Sequence, residues 1–298
     1  MVSNVSNNQN YIYTDKSKYE KPSPEKVVGG FVAGCATYSL VPKLIQPLNK
    51  YISNKWASTY YNNDEFYQVA KKVFKDSGLP EKGVEFIDVR ELDKTTINNI
   101  KTKIIPNYIK RLPQPIRKIY ERSIRAVVDQ VVKGDNALWV KQTKQVLIHP
   151  KKIALASFHE MGHALAHFSP LGFISKMRTL SSFAIPVLFY TALLKRKKVE
   201  GEKPKGKLDK TTTFIKNNVG KLMFLSYLPL LMDETIASVK GYNLAKKHLT
   251  PDLLKKLNRN YAKAFLTYLM LPLTSVAAIK VASFVRDKIA QPKEVNNN

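Results

Sequence analysis

In "FHEMGHALAHF", residues 158 to 168, histidine stands at 159, 163 and 167, and a carboxylate follows the first of them. On a helix His159 and His163 share a face and lie about 6 Å apart along the axis. Two imidazoles so placed can converge on one metal ion with bonds of about 2 Å. Glu160, turned about 100° from His159, can reach a metal-bound water without ligating the metal. This is the H-E-x-x-H arrangement of two ligands and a general base, suited to hydrolysis by a metal-activated water. The pair and the acid sit in an otherwise apolar helix, "IALASFHEMGHALAHF", where an unpartnered carboxylate is costly. Gly162 costs about 1 kcal/mol in a helix interior, so its presence implies that something packs closely against it. His167 is about 12 Å along the axis from His159 and cannot share the ion. The longer three-histidine pattern needs a glycine turn that this chain lacks. His167 therefore reads as a packing or surface residue.

A catalytic zinc takes three protein ligands and leaves one position for water. His248, in "KKHLTPD", reads as part of a solvated helix end. In "LMDETIASVKGYNLA", 231 to 245, Asp233 and Glu234 follow directly on an apolar run. Ala237, Ser238, Gly241 and Ala245 form a small-residue face that lets this helix approach another closely. Glu234, at the head of E-x-x-A-S, is the preferred third ligand, with Asp233 as the alternative.

HEMGH followed downstream by E-x-x-A-S resembles the membrane-associated zinc metallopeptidases of the gluzincin type. The YugP-like neutral zinc metallopeptidases look most similar, on "HEMGHALAHFSPL" and "ETIAS"; the HtpX-like and CAAX-prenyl-protease-like enzymes, which read E-x-x-A-D, are more distant. The resemblance covers about residues 134 to 246. It implies zinc held by His159, His163 and Glu234, Glu160 as the catalytic base, and a protein or peptide substrate cut internally. It also implies two membrane helices between the motif and the glutamate, and a sheet edge, "NALWV" or "QVLIH", against which an extended substrate can pair. Ser238 departs from the HtpX-like pattern, whose aspartate supports a ligand histidine. No oxyanion-stabilising residue is identified; Tyr242 and His248 are the weak candidates.

The elements that must position these residues follow from hydropathy. Four stretches are unusually apolar: 27 to 41, 179 to 194, 222 to 232 and 264 to 279. A bilayer crossing takes about 20 apolar residues, which each stretch approaches when flanking lysine, proline or serine is counted. Four such segments are hard to bury in one soluble core, so an integral membrane protein is expected. Residues 195 to 221 hold ten basic and three acidic residues and read as an exposed polar loop, the tip of a helical hairpin that meets anionic headgroups. Such a hairpin would bring Glu234 back to the histidines. Residues 51 to 168 read as the catalytic unit. Phe66, Val69, Ala70, Val73 and Phe74 lie at helical spacing before a stop at Gly78. "VEFIDV" alternates as a strand, and a long helix ends at Gly134. "KQTK" turns between two short strands, and Pro150 opens the motif helix.

The expected fold is α+β, mostly α: a zincin-like catalytic unit with a small sheet edge beside the HExxH helix, plus several apolar membrane helices. In order, this gives a disordered polar N-terminus (1–25), an apolar helix (26–50), the catalytic unit (51–168) and a hairpin (169–232). A third-ligand helix (233–250), C-terminal helices (251–290, apolar over 264–285) and a tail (291–298) complete it. The N-terminal residues lack the pattern of a signal peptide. One cysteine, Cys35, excludes an intrachain disulfide and a thiolate-rich metal site. The net charge of +26 favours an anionic partner, read as lipid headgroups, or a lysine-rich compositional habit. Nucleic acid is not expected, because the basic residues are spread along the chain and the 195–221 cluster has a single aromatic, Phe214. The readings are therefore a zinc-dependent membrane endopeptidase, a non-catalytic zinc-binding membrane scaffold and, weakest, a basic nucleic-acid-binding protein.

Overall fold

The computed structural model describes residues 19–20, 22–57, 63–111, 113–198, 202–291 and 293–294. The expected polar N-terminus up to residue 18, and the tail beyond 294, lie outside the described residues. The chain is mostly helical. Its strands are β1 (Tyr19–Glu20), β2 (Glu85–Asp88), β3 (Leu138–Val140), β4 (Gln145–Ile148) and β5 (Lys293–Glu294). Its helices are α1 (Pro24–Ala57), α2 (Asn63–Lys75), α3 (Lys94–Lys103), α4 (Asn107–Lys110), α5 (Gln114–Lys133), α6 (Pro150–Ile153), α7 (Ser157–His167), α8 (Gly172–Leu194), α9 (Gly206–Ser226), α10 (Leu228–Ala245) and α11 (Pro251–Ile289). β1 and β5 pair with each other.

The second sheet has the order β2-β4-β3. β4 runs parallel to β2 and antiparallel to β3, with Trp139 opposite Val146. Alternation puts Val146 on one face, with Phe66 and Val73 of α2 and Phe158 and Met161 of α7. It puts Leu147 on the other, with Ile100 of α3 and Val128 and Val131 of α5. The apolar spacing of α2 fits this placement, since Phe66, Ala70 and Val73 are buried. α5 stops at Gly134, whose φ of 79° is easy for glycine alone. The motif helix does not run unbroken from Pro150. A short turn at α6 and a 3₁₀ stretch precede it, so α7 starts at Ser157.

The closest helix crossing is that of α7 and α10. A Cβ added to Gly162 would stand 1.9 Å from the Ala237 carbonyl oxygen. One added to Gly241 would stand 2.2 Å from that of Phe158. Backbone therefore rests on backbone at this point, which only glycine on both sides permits. The closeness inferred from Gly162 and from the small face at 237–245 is realised in a single contact.

Residues 195–221 differ from the exposed loop expected of them: α9 begins at Gly206, so 206–221 are helical. Asp209 in its first turn accepts the Lys205 N–H and pairs with Lys195 and Lys198, which offsets the local excess of positive charge. α8 and α9 are antiparallel, with Lys216 reaching back to Ala192. At the hairpin tip the last carbonyls of α8 accept from buried cations: Ala192 from Lys216 Nζ (2.6 Å), Leu193 from Arg286 Nε (2.8 Å) and Leu194 from Arg286 Nη2 (2.9 Å). These bonds satisfy groups that a helix end would otherwise leave orphaned. α1 lies along α11 through Gly30 and Gly34, whose missing side chains leave room for Arg286, Ala282 and Leu193.

Among the described residues, four stretches are long and apolar enough to cross a membrane: Pro24–Leu48, Gly172–Leu194, Gly206–Ala245 and Pro251–Ile289. Between 11% and 39% of their most apolar windows is buried, so most of that apolar surface faces outward. On α8, Phe173, Met177, Phe183, Val187, Tyr190 and Leu194 are all exposed. Exposure on this scale is compatible with a bilayer and unfavourable in water.

Two outcomes follow. The protein should stay in the membrane fraction after a wash in about 1 M salt, which screens charge attraction, and should need detergent for release. Gly162→Ala should force α7 and α10 apart and cost about 2–3 kcal/mol, as overpacking does, read as a lowered Tm in detergent.

Candidate metal centre

α7 is buried along nearly its whole length, and His159 and His163 face α10. His159, His163 and Glu234 come together, with one potential ligand atom from each lying within 4.8 Å of the others. His159 Nε2 is 3.1 Å and His163 Nε2 3.4 Å from Glu234 Oε2. Ligands about 2.0–2.1 Å from a tetrahedral zinc are separated by about 3.3 Å, so both spacings fit the edges of such a site. His159 Nδ1 lies 3.1 Å from Ser238 Oγ. Donating that N–H to the hydroxyl leaves the Nε2 lone pair for an ion. Ser238 thus contacts the ligand histidine at the position where the HtpX-like pattern has aspartate.

Glu160 does not join the ligand group. Its Oε2 accepts the backbone N–H of Trp139 at 2.6 Å. That N–H points away from β4, so β3 offers its outer edge to the centre. Asp233 is the alternative that geometry places second: its Oδ2 is 3.8 Å from His163 Nδ1. Arg178 of α8 binds both acids, with Nη1 3.1 Å from Asp233 Oδ2 and 3.1 Å from Glu234 Oε1.

Charge supplies a test of fit. Glu160, Asp233 and Glu234 are exposed by 9%, 6% and 4%, and Arg178 is the guanidinium set against them. Carboxylates buried this close together are unfavourable unless cationic groups are held among them. A divalent cation between the histidines and Glu234 would be such a group. His163 reports the same field. Burial alone pulls its pKa down, but the hydrogen bond to Glu234 and the charges of Glu234, Glu160 and Asp233 carry it above the usual histidine value. The donor set and its charge therefore fit a metal ion.

The centre opens into a cleft of about 470 Å³. Asn136 to Trp139, side chains of α7, Ser175, Arg178 and Thr179 of α8, and Tyr268 of α11 line it. Tyr268 stacks on His159 at 6.4 Å between ring centres. His167 lines the cleft outside the ligand group. Tyr242 packs against the core, and His248 sits 3.7 Å from Asp76, so neither reaches the cleft. Arg178, Tyr268 and the Trp139 N–H are the site groups that sequence reasoning did not find. Arg178 carried a signal, a lone guanidinium near the start of an apolar run. Tyr268 is one of 15 tyrosines and carried none.

Purified protein should hold about one metal ion per chain by elemental analysis, with the ion lost in His159→Ala and His163→Ala and kept in His167→Ala. Glu234→Gln should weaken the metal at least about tenfold, because an amide is a poor ligand, and Asp233→Asn should cost far less. A more sensitive Asp233 would make it the third ligand. No family model, curated protein or solved structure matches this chain.

Proposed function

We propose that this protein is a membrane-associated, zinc-dependent endopeptidase. The observation that carries the reading is the meeting, in one cleft, of the His159–His163–Glu234 group, a buried carboxylate outside that group and the outer edge of β3. Resemblance to the gluzincin-type enzymes on HEMGH and ETIAS points the same way. The small sheet beside the motif helix is consistent with a zincin-like unit.

Zinc, when bound, supplies a Lewis acid that polarises a scissile carbonyl and lowers the pKa of water to about 7. The chain does the rest. The Trp139 N–H holds Glu160 facing the cleft, where the carboxylate takes the proton of the attacking water and later passes it to the leaving amine. A substrate in extended form pairs with the outer edge of β3 through the Trp139 carbonyl, since the Trp139 N–H is already given to Glu160. Ser238 fixes the ring of His159. Arg178 holds Glu234 Oε1, so that Oε2 stays between the histidines. Tyr268 lines the cleft, stacks on the His159 ring and hydrogen-bonds to Glu234, and so helps hold both side chains in place. The exposed apolar faces of α1, α8, α9 and α11 support anchorage in a lipid bilayer.

Glu160→Gln separates catalysis from metal binding. The variant should keep its zinc and lose peptide cleavage by at least about a hundredfold, the scale of general-base catalysis. Cleavage of a casein or mixed-peptide substrate in detergent, followed by mass spectrometry, provides the measurement. Unchanged cleavage would remove Glu160 from the mechanism, and zinc without cleavage in the wild type would favour the scaffold reading.

A further inference from the structure

The cleft continues beyond the metal centre. His167 lies one helical turn past His163 on the same face of α7, about 6 Å along the axis, and lines the cleft with Lys141 and Gln142. Lysines stand near His167 from three elements: Lys141 and Lys144 at the two ends of the β3–β4 turn, Lys176 on α8, and Lys82 in the 3₁₀ turn before β2. Lys82 and Lys144 both sit over the Phe168 ring, at 5.4 and 5.8 Å, and the His167 ring is 5.0 Å from that ring. His167 senses the charge: its pKa is lowered, first by burial and then by Lys141, Lys144 and Lys176.

Among the described residues, no carboxylate lies within ion-pair distance of these four lysines. The acids that line the cleft are Glu160, Asp233 and Glu234, and all three belong to the metal centre. The acids of the cleft thus gather at the metal centre, whereas the lysines gather at the far end with no paired carboxylate among the described residues.

We propose that the far end of the cleft is a subsite for an acidic side chain of the bound peptide, held by Lys141, which lines it beside His167, in the positive field of Lys144 and Lys176. The proposal rests on the peptidase reading of the same cleft. At about 3.3 Å per residue of extended chain, a 6 Å separation puts the acidic residue about two positions from the bond at the metal. Lys141 and His167 line the same cleft as His163. The exposed apolar residues of α8, Phe173 and Met177, do not line it. That placement favours a peptide carboxylate over a lipid headgroup.

The test uses binding, so that it stands apart from catalysis. Full-length, zinc-loaded Glu160→Gln protein in detergent is titrated into fluorescein-labelled, end-blocked nonapeptides that are otherwise uncharged. Each pair carries Glu or Gln at one position, scanned along the chain. At one position Glu should bind about tenfold more tightly than Gln, the scale of one well-placed charge pair. The ratio should collapse in about 1 M salt and in Lys141→Gln/Lys144→Gln/Lys176→Gln, and Lys141→Glu should invert it in favour of Gln. Metal content and Tm of the lysine variants establish that they are folded. Equal affinity at every position, no binding of any peptide, or a preference that survives the triple substitution overturns the subsite. So does loss of binding to phosphatidylglycerol vesicles in the triple variant with peptide preference unchanged. Wild-type protein that retains the preference and cuts none of the peptides would overturn the peptidase reading and leave the subsite standing; cleavage without preference would do the reverse.

Discussion

The candidate site depends on one contact, the crossing of α7 and α10 at Gly162 and Gly241. With a missing Cβ on each side, the Ala237 and Phe158 carbonyls approach to distances at which a methyl group could not fit. Glu234, Ala237, Ser238 and Gly241 recur at helical spacing along one face of α10, so the face that makes the contact also carries the ligand and its support. Bringing the backbones this close puts Glu234 Oε2 3.1 and 3.4 Å from two imidazoles and Ser238 within a hydrogen bond of His159. A wider crossing would leave two histidines on one helix and a carboxylate on another, with water between them.

Electrostatics explains why the apolar helices belong to the site as well as to its surroundings. Three buried acids need compensation, and part of it comes from Arg178 on α8, the first helix of the hairpin. At the opposite end of the same helix, Lys216 and Arg286 satisfy the carbonyls of its last turn. α8 has 23 residues, about 34 Å, close to the thickness of a hydrocarbon core. It is therefore held by ionic and polar contacts at both ends, with an apolar, outward-facing surface between them. The hairpin α8–α9 leads into α10 and so delivers Glu234, while Arg178 orients it.

Parts of this arrangement were legible in the amino-acid order because they are local. His159, Glu160 and His163 lie within five residues, and helix geometry alone decides which of them can share an ion and which cannot. The four apolar stretches, the hairpin turn at 141–144 and the stop at Gly134 are likewise matters of composition and short-range spacing. The extent of the 195–221 loop was misread for a related reason. Lysine density reads as solvent-exposed chain, whereas Asp209 with Lys195, Lys198 and the Lys205 N–H neutralises enough of it for a helix to start at Gly206. Proline at 150 marked a helix start correctly, but the break before Ser157 depends on how Ala154 and Leu155 bury against α2, which spacing does not reveal.

What the sequence by itself determined is the histidine pair on α7 that could take part in holding a metal ion, the need for a close neighbour at Gly162, and the apolar helices around it. What only the tertiary structure decided is which residues from elsewhere complete the site. Arg178, Tyr268 and the Trp139 N–H arrive from α8, α11 and β3, separated along the chain by up to 129 positions. One of the three is a backbone group with no residue-type signature at all. The choice of Glu234 over its neighbour Asp233 belongs here too. Two adjacent carboxylates are equivalent by type, but about 100° of helical rotation sends Glu234 between the histidines and Asp233 toward Arg178. The physical reason is common to all of these. Type and spacing constrain what a residue can do within one or two helical turns, whereas its partner across 60 or more residues is set by which surfaces pack, and here that is set by two glycines.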